Sequence, residues 1–193
     1  MTEVYFIRHA ESDHAIHDEF IRPLTPKGML DRKLVTRYLS DKNISKAFSS
    51  PYVRAVDTIR DFTEKSGLSI ETISNFMERK AGSGWIKDFY EFAQRQWTDF
   101  DYKLPGGESL REVQDRNIQA LNIILEKCRN QSVIIGTHGT ALCSVLHYYD
   151  PDFGFADFIG MVKLMPWIVK LTFEKTRCIR IEKIDLLKNE TVL

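Results

Sequence analysis

Val4-Tyr5-Phe6-Ile7-Arg8-His9-Ala10-Glu11-Ser12 decides the reading of this chain. Residues 4–7 are a short apolar run fit for a buried strand. The run breaks directly into Arg8, His9 and Glu11. A second segment has the same form: the strongly apolar Ser132–Thr137, followed by His138-Gly139-Thr140. Open α/β sheets bind ligands outside the carboxyl ends of their strands. Two histidines at equivalent strand ends therefore face one crevice if the strands are neighbours. A lone histidine is more often a structural residue, but two at matched positions, one beside Arg and one beside Gly, point to function.

The rest of the chain continues the alternation of strand and helix. Thr25-Pro26 opens a helix, with Thr25 as N-cap and Pro at its first position. Leu30, Leu34, Tyr38 and Leu39 form its apolar side. Ile44–Ser49 is a strand. Pro51 restarts a helix as far as about Lys65, with Val53, Val56, Ile59 and Phe62 as its stripe, and Gly67 ends it. Residues 69–74 are a third strand. The segment from Arg79 to Gly107 differs: it is rich in aromatics, predicts a helix over 86–97 and closes on Pro105-Gly106-Gly107. Ser109 with Glu112 is a capping-box signature for a long helix through Cys128. A helix over 139–148 and two strands, 167–173 and 178–184, complete the chain. This order implies a three-layer α/β/α fold with a mainly parallel central sheet and a small cap insertion. The organisation is one domain over 1–193, with the cap at about 79–107.

Composition narrows the function classes. Lys plus Arg number 27 and Asp plus Glu 27, a balance that argues against a nucleic-acid binder. No apolar stretch approaches the roughly 20 residues that span a bilayer, and the first residues lack the form of a signal peptide. Cys128, Cys143 and Cys178 are odd in number and show no C-x-x-C spacing, so the expectation is reduced thiols in a cytoplasmic protein.

A further block, Ser49-Ser50-Pro51-Tyr52-Val53-Arg54-Ala55-Val56-Asp57-Thr58, places Arg54 in a helix's first turn. There it opposes the helix dipole unless an anion binds beside it. With this block the sequence resembles the histidine phosphatase superfamily, the phosphoglycerate-mutase-like group. Arg8 to Ser12 match its opening motif, with Ala10 for the usual Gly. Leu24-Thr25-Pro26-Lys27-Gly28, residues 49–58, Glu78 with Gly82, Gly84 and Trp85, Pro-Gly-Gly-Glu-Ser at 105–109, and Thr137-His138-Gly139 follow in family order. One departure stands at Ala15, where many members have a phosphate-binding Asn; His14 and His17 read as surface residues or as partial substitutes for it.

The resemblance implies His9 as a nucleophile that forms a phosphohistidine, and a cap that governs substrate choice. A phosphate monoester dianion needs cationic donors, an in-line nucleophile and a proton for the leaving oxygen. Arg8, Arg54 and His138 can supply the donors, with Arg suited by its planar fork. Glu78 is the candidate general acid, with Glu108 as rival; Glu11 and Thr137 are candidates for steadying the histidines. Arg79, Lys80 and Lys87 read as a solvated face or a site for a second anionic group. The expected activity is a metal-independent phosphatase acting on a small phosphorylated substrate, with no cofactor, nucleic acid or membrane and a homodimer allowed. Alternatives are a cofactor-dependent phosphoglycerate mutase, a non-catalytic phospho-ligand binder, and a metallohydrolase built on Asp13, His14, His17 and Asp18.

Overall fold

Successive residues of β1 (Thr2–Arg8) point into two different cores. Val4 and Phe6 join one, and Tyr5 and Ile7 the other, because neighbouring strand residues face opposite sides. A strand buried on both faces needs a layer on each side, and the computed structural model, which describes residues 1–84 and 86–186, has them. On one face α1 (Pro26–Leu39) and α2 (Val53–Ser66) cover the sheet through Val35, Leu39, Ile59 and Phe62. On the other, α4 (Leu110–Lys127), α5 (Gly139–Tyr149) and α6 (Phe155–Met161) contribute Leu121, Ile124, Leu142, Leu146 and Phe158. α3 (Phe89–Thr98) packs here too, with Trp97 against the rings of Phe100, His147, Phe153 and Phe158.

The remaining strands are β2 (Ile44–Ser49), β3 (Ile70–Thr72), β4 (Ser132–Thr137), β5 (Trp167–Glu174) and β6 (Arg177–Ile184). Among the described residues they form one sheet in the order β3-β2-β4-β1-β5-β6. β3, β2, β4 and β1 run parallel, and β5 and β6 add an antiparallel hairpin at the edge. The fold is the expected α/β type with a mostly parallel sheet. β1 and β4 are neighbours, and Arg8 lies opposite Thr137. The carboxyl ends of the two strands that precede the histidines are therefore level.

The helix starts form for the reasons the sequence offers. Thr25 Oγ1 accepts the Gly28 N–H at 3.0 Å, and Ser109 and Glu112 complete a reciprocal capping box. Gly67 ends α2 at φ +67°, in the left-handed region glycine tolerates. Three local expectations change. Leu30 is exposed, and α1 buries Val35 and Thr36 beside the expected Leu39, with Leu34 and Tyr38 partly buried. The third strand is only three residues, and a 3₁₀ turn (Ser74–Phe76) takes over the end of the expected one. α6 has no sequence counterpart among the expected elements: its seven residues are too few to display helical periodicity. Trp85, part of the quoted motif, and 187–193 lie outside the described residues.

Gly28 joins α1 to the first motif by close approach. A Cβ there would lie 2.1 Å from the Glu11 carbonyl oxygen, a backbone atom that cannot swing aside. Gly28→Ala should destabilise the protein by about 1–3 kcal/mol, the usual range for overpacking. Gly160→Ala, where a Cβ meets nothing within 4 Å, should be neutral or mildly stabilising. Urea unfolding midpoints of the two variants check this; equal midpoints would show that the β1–α1 loop yields.

Candidate active site

His9 directly follows β1, and its backbone N–H continues the ladder to the Thr137 carbonyl at 3.0 Å. Its Nδ1 lies 2.7 Å from the Ala10 carbonyl oxygen. A carbonyl only accepts, so Nδ1 carries the proton and Nε2 keeps the free lone pair. The Ala10 N–H is held by Thr58 Oγ1 at 2.9 Å, and that hydroxyl donates to the Arg54 carbonyl at 2.7 Å. The Thr that closes the 49–58 block thus fixes the turn that orients His9.

His138 lies at the equivalent end of β4, fully buried, its ring centroid 5.3 Å from that of His9. Its Nε2 is 2.8 Å from Ser50 Oγ, and its Nδ1 is buried without a partner. Both imidazoles are held well below the ordinary value of 6.5, first by burial and next by the guanidinium of Arg54. Arg8 and Arg22 add to this at His9. A neutral imidazole keeps one ring nitrogen unprotonated.

The arginines reach the site from three elements. Arg8, at the end of β1, donates from Nη1 to the carbonyls of Met161 (2.7 Å), Val162 (3.0 Å) and Leu164 (3.0 Å), at and just past the last residue of α6. Its Nε is buried and unpartnered. Arg54, in the first turn of α2, stacks over the Tyr52 ring at 4.9 Å, and Tyr52 in turn contacts the His138 ring at 5.0 Å. Arg54 is buried rather than solvated. Its Nη2 donates to the Glu19 carboxylate, and its Nη1 to the Glu19 carbonyl, each at 2.6 Å. Arg22 is buried as well, ion-paired to the same carboxylate and 2.9 Å from His14 Nδ1.

Glu78 follows the 3₁₀ turn and reaches the first turn of α5. Its Oε2 accepts the Thr140 N–H at 2.9 Å; its Oε1 accepts those of Ala141 at 3.1 Å and Arg79 at 2.7 Å. A helix N-terminus welcomes a carboxylate. Oε1 thus takes two donors and Oε2 one. The loop carrying Glu78 is gripped by Arg116 of α4, which donates to the carbonyls of Asn75 (2.6 Å), Met77 (2.8 Å) and Glu78 (3.3 Å). Arg116 also forms a fork on Glu108, at 2.8 and 3.0 Å.

Arg8, His9, Arg54, Glu78 and His138 thus assemble at the carboxyl ends of the central strands. Other expectations change. Glu108, the rival acid, has its oxygens on Arg116 and on the Lys80 N–H at 2.9 Å. Glu11 accepts the Thr25 hydroxyl at 2.8 Å rather than steadying a histidine, and the Thr137 hydroxyl is buried without a partner. Arg79 is not on a solvated face: it is buried against the Phe92 ring and bonded to Gln96 at 2.5 Å. The acidic and histidine-rich stretch is used locally. Asp13 accepts the Ala15 N–H, Asp18 accepts the Phe20 N–H, and His14 pairs with Arg22. Among the described residues no three His, Cys, Asp or Glu side chains group as metal ligands, and no helix is long and apolar enough to cross a membrane. Sequence reasoning missed Ser50, Glu19, Arg22 and Arg116. Glu19 and Arg22 lie in an irregular loop, where no periodicity marks the side chains that turn inward.

This geometry can hold an oxyanion beside a neutral imidazole. The family model of the histidine phosphatase superfamily (branch 1) matches residues 4–163, and the chain belongs to that superfamily. It is 27% identical to a probable phosphoglycerate mutase, GpmB, of Salmonella choleraesuis (strain SC-B67), over 74% of this chain and 72% of that one. Its fold matches a mycobacterial glucosyl-3-phosphoglycerate phosphatase with a TM-score of 0.74 at 15% identity, covering 94% of this chain and 96% of the other. It also matches a phosphoserine phosphatase of Entamoeba histolytica in complex with 3-phosphoglyceric acid, with a TM-score of 0.75 at 17% identity, over 97% and 100% of the two chains.

The depressed histidines couple this site to stability. Each takes up its proton more readily in the unfolded chain, so stability is full above about pH 6.5 and falls as pH drops below it. Each contributes a slope of up to about 1.4 kcal/mol per pH unit in that window. Urea unfolding at pH 7, 6 and 5 should show a steeper loss for the native chain than for His9→Asn/His138→Asn. Parallel losses would mean that the two rings titrate normally.

Proposed function

We propose that the chain hydrolyses phosphate monoesters through a phosphohistidine on His9 and needs no metal ion. The observation that carries this reading is the His9 ring, neutral, with Nδ1–H held by the Ala10 carbonyl and Nε2 left as the nucleophile. Arg8, Arg54 and His138 surround it as donors for the phosphoryl oxygens, which is the electrostatic service a metal would otherwise give.

In the first half, the Nε2 lone pair attacks phosphorus and the bond to the ester oxygen breaks. Glu78 gives that oxygen its proton. In the second half, a water passes a proton to Glu78 as its oxygen attacks phosphorus. The P–N bond then breaks, phosphate leaves and His9 is restored. The segment 79–107 acts as the cap, and its helix α3 is tied to the residue after Glu78 by the Arg79–Gln96 bond. The Salmonella relative's description supports a second reading, in which the phosphoenzyme passes its phosphoryl group to a sugar-acid phosphate rather than to water.

Rapid quench of EDTA-treated protein with a labelled phosphate ester should trap an acid-labile, base-stable phosphoenzyme that is absent from His9→Ala. Label persisting in that variant sinks the assignment of His9; loss of labelling on chelation, with rescue by a divalent ion, sinks metal independence. Label appearing as inorganic phosphate marks a hydrolase, and label passing to added 3-phosphoglycerate marks a mutase.

Removing a general acid typically costs about 10²–10⁴-fold. Glu78→Gln should slow the phosphorylation burst with alkyl phosphates far more than with p-nitrophenyl phosphate, whose leaving group is stable without a proton. Equal losses on both esters would move the acid elsewhere.

A further inference from the structure

Glu19 is placed where an oxyanion belongs. One carboxylate oxygen takes the Arg54 Nη2 donor at 2.6 Å, and the other is ion-paired to Arg22 Nη2. The exposures of the three side chains are unequal: Arg54 3%, Arg22 8%, Glu19 52%. The two cations are built into the fold and the anion reaches them from the solvent side. Arg54 is fixed in the first turn of α2 over Tyr52. Arg22 is fixed by His14, and by a chain that continues through Pro23 into Leu24, which bridges to Ser12 beside the first motif.

Two buried guanidinium groups with no anion between them would be costly, since burying unpaired charge costs several kcal/mol. Arg54 acts on Arg22 as a like charge, after burial itself. Arg22 also keeps a buried Nε with no partner, a donor beyond the two groups it already holds. Both arginines act electrostatically on the His9 ring, so an anion between them lies in the field of the nucleophile.

We propose that Arg22 is a further phosphate-binding residue and that Glu19 is an internal anion that holds Arg22 and Arg54 until the substrate phosphate displaces it. The proposal rests on the reading of this pocket as a phosphate site. Displacement needs only the side chain to turn into the water that it already half occupies. The loop backbone stays anchored, because the Phe20 carbonyl accepts the Val53 N–H at 3.1 Å and the Glu19 carbonyl keeps Arg54 Nη1 at 2.6 Å. The phosphate then inherits donors already in position, and loss of the internal pair offsets part of its affinity. Apparent affinity is the intrinsic affinity scaled by the fraction of open site. The closed pair thus sets how strong an anion must be to enter.

Calorimetric titration with inorganic phosphate tests this in the full chain. Glu19→Gln, which keeps the shape but not the charge, should bind phosphate about tenfold or more tightly than the native chain, as expected if the open fraction is about a tenth or less. In the Glu19→Gln background, adding Arg22→Met should weaken phosphate binding by about tenfold, the size of one lost charge-assisted contact. If that double variant does not fold, Glu19→Gln with Arg22→Lys, which keeps the charge and loses the fork, should still bind more weakly than Glu19→Gln alone. Unchanged or weaker phosphate binding in Glu19→Gln overturns the role of Glu19, and unchanged binding on replacing Arg22 overturns that of Arg22. A native chain that hydrolyses no ester while Glu19→Gln gains phosphate affinity would fell the phosphatase reading and leave this proposal standing. Hydrolysis without that gain would do the reverse.

Discussion

The parallel pairing of β1 with β4 is the constraint on which the site depends. In that register Arg8 faces Thr137, so the residues that follow, His9 and His138, leave the sheet at the same height. A shift of one residue would turn every side chain of the strand to the opposite face. Both cores hold the register, because β1 and β4 send alternate residues into each. The 5.3 Å separation of the imidazoles is thus a product of packing far from the rings themselves.

Two depressed histidines and three buried arginines in a small volume make a charge problem, and the fold answers each part differently. Arg8 is held through Nη1 by carbonyls at the end of α6, the negative pole of a short helix. Arg54 and Arg22 share Glu19. Glu78, close enough to act electrostatically on all three, is tied to the positive end of α5. Arg8 is therefore held by backbone dipoles that stay in place, while Arg22 and Arg54 are held by a side chain that can leave.

What the sequence disclosed follows from the range of the signals involved. Strand runs, the Thr25 and Ser109 caps and the Gly67 stop are local, and local chemistry formed the elements where the sequence placed them. Arg8, His9, Arg54, Glu78 and His138 were legible because each lies at an element boundary within an ordered set of motifs. Arg22 and Glu19 were not, because an irregular loop has no periodicity to say which side chains turn inward. Arg79 misled for a related reason. Beside Lys80 it reads as a solvated charge, yet Gln96 and the Phe89 and Phe92 rings, up to 17 positions later in the chain, draw it under cover. Arg116 sits among exposed polar residues of an amphipathic helix, and only the folded loop supplies the carbonyls it binds.

That loop bears on how the Glu78 carboxylate and the two imidazoles are kept together. Glu78 is not on a strand, so the sheet alone does not position it. Arg116 of α4, itself braced by Glu108, holds its backbone carbonyl, and the Thr140 and Ala141 amides hold its carboxylate from α5. The second tie is to the turn that directly follows His138. The Glu78 carboxylate and the His138 ring therefore share one rigid support, the β4–α5 junction. β4 in turn is bonded to β1, which carries His9. A loop residue thereby gains a position nearly as fixed as that of a strand end, and the 79–107 segment can vary its path beyond Glu78 without moving the carboxylate relative to the two imidazoles.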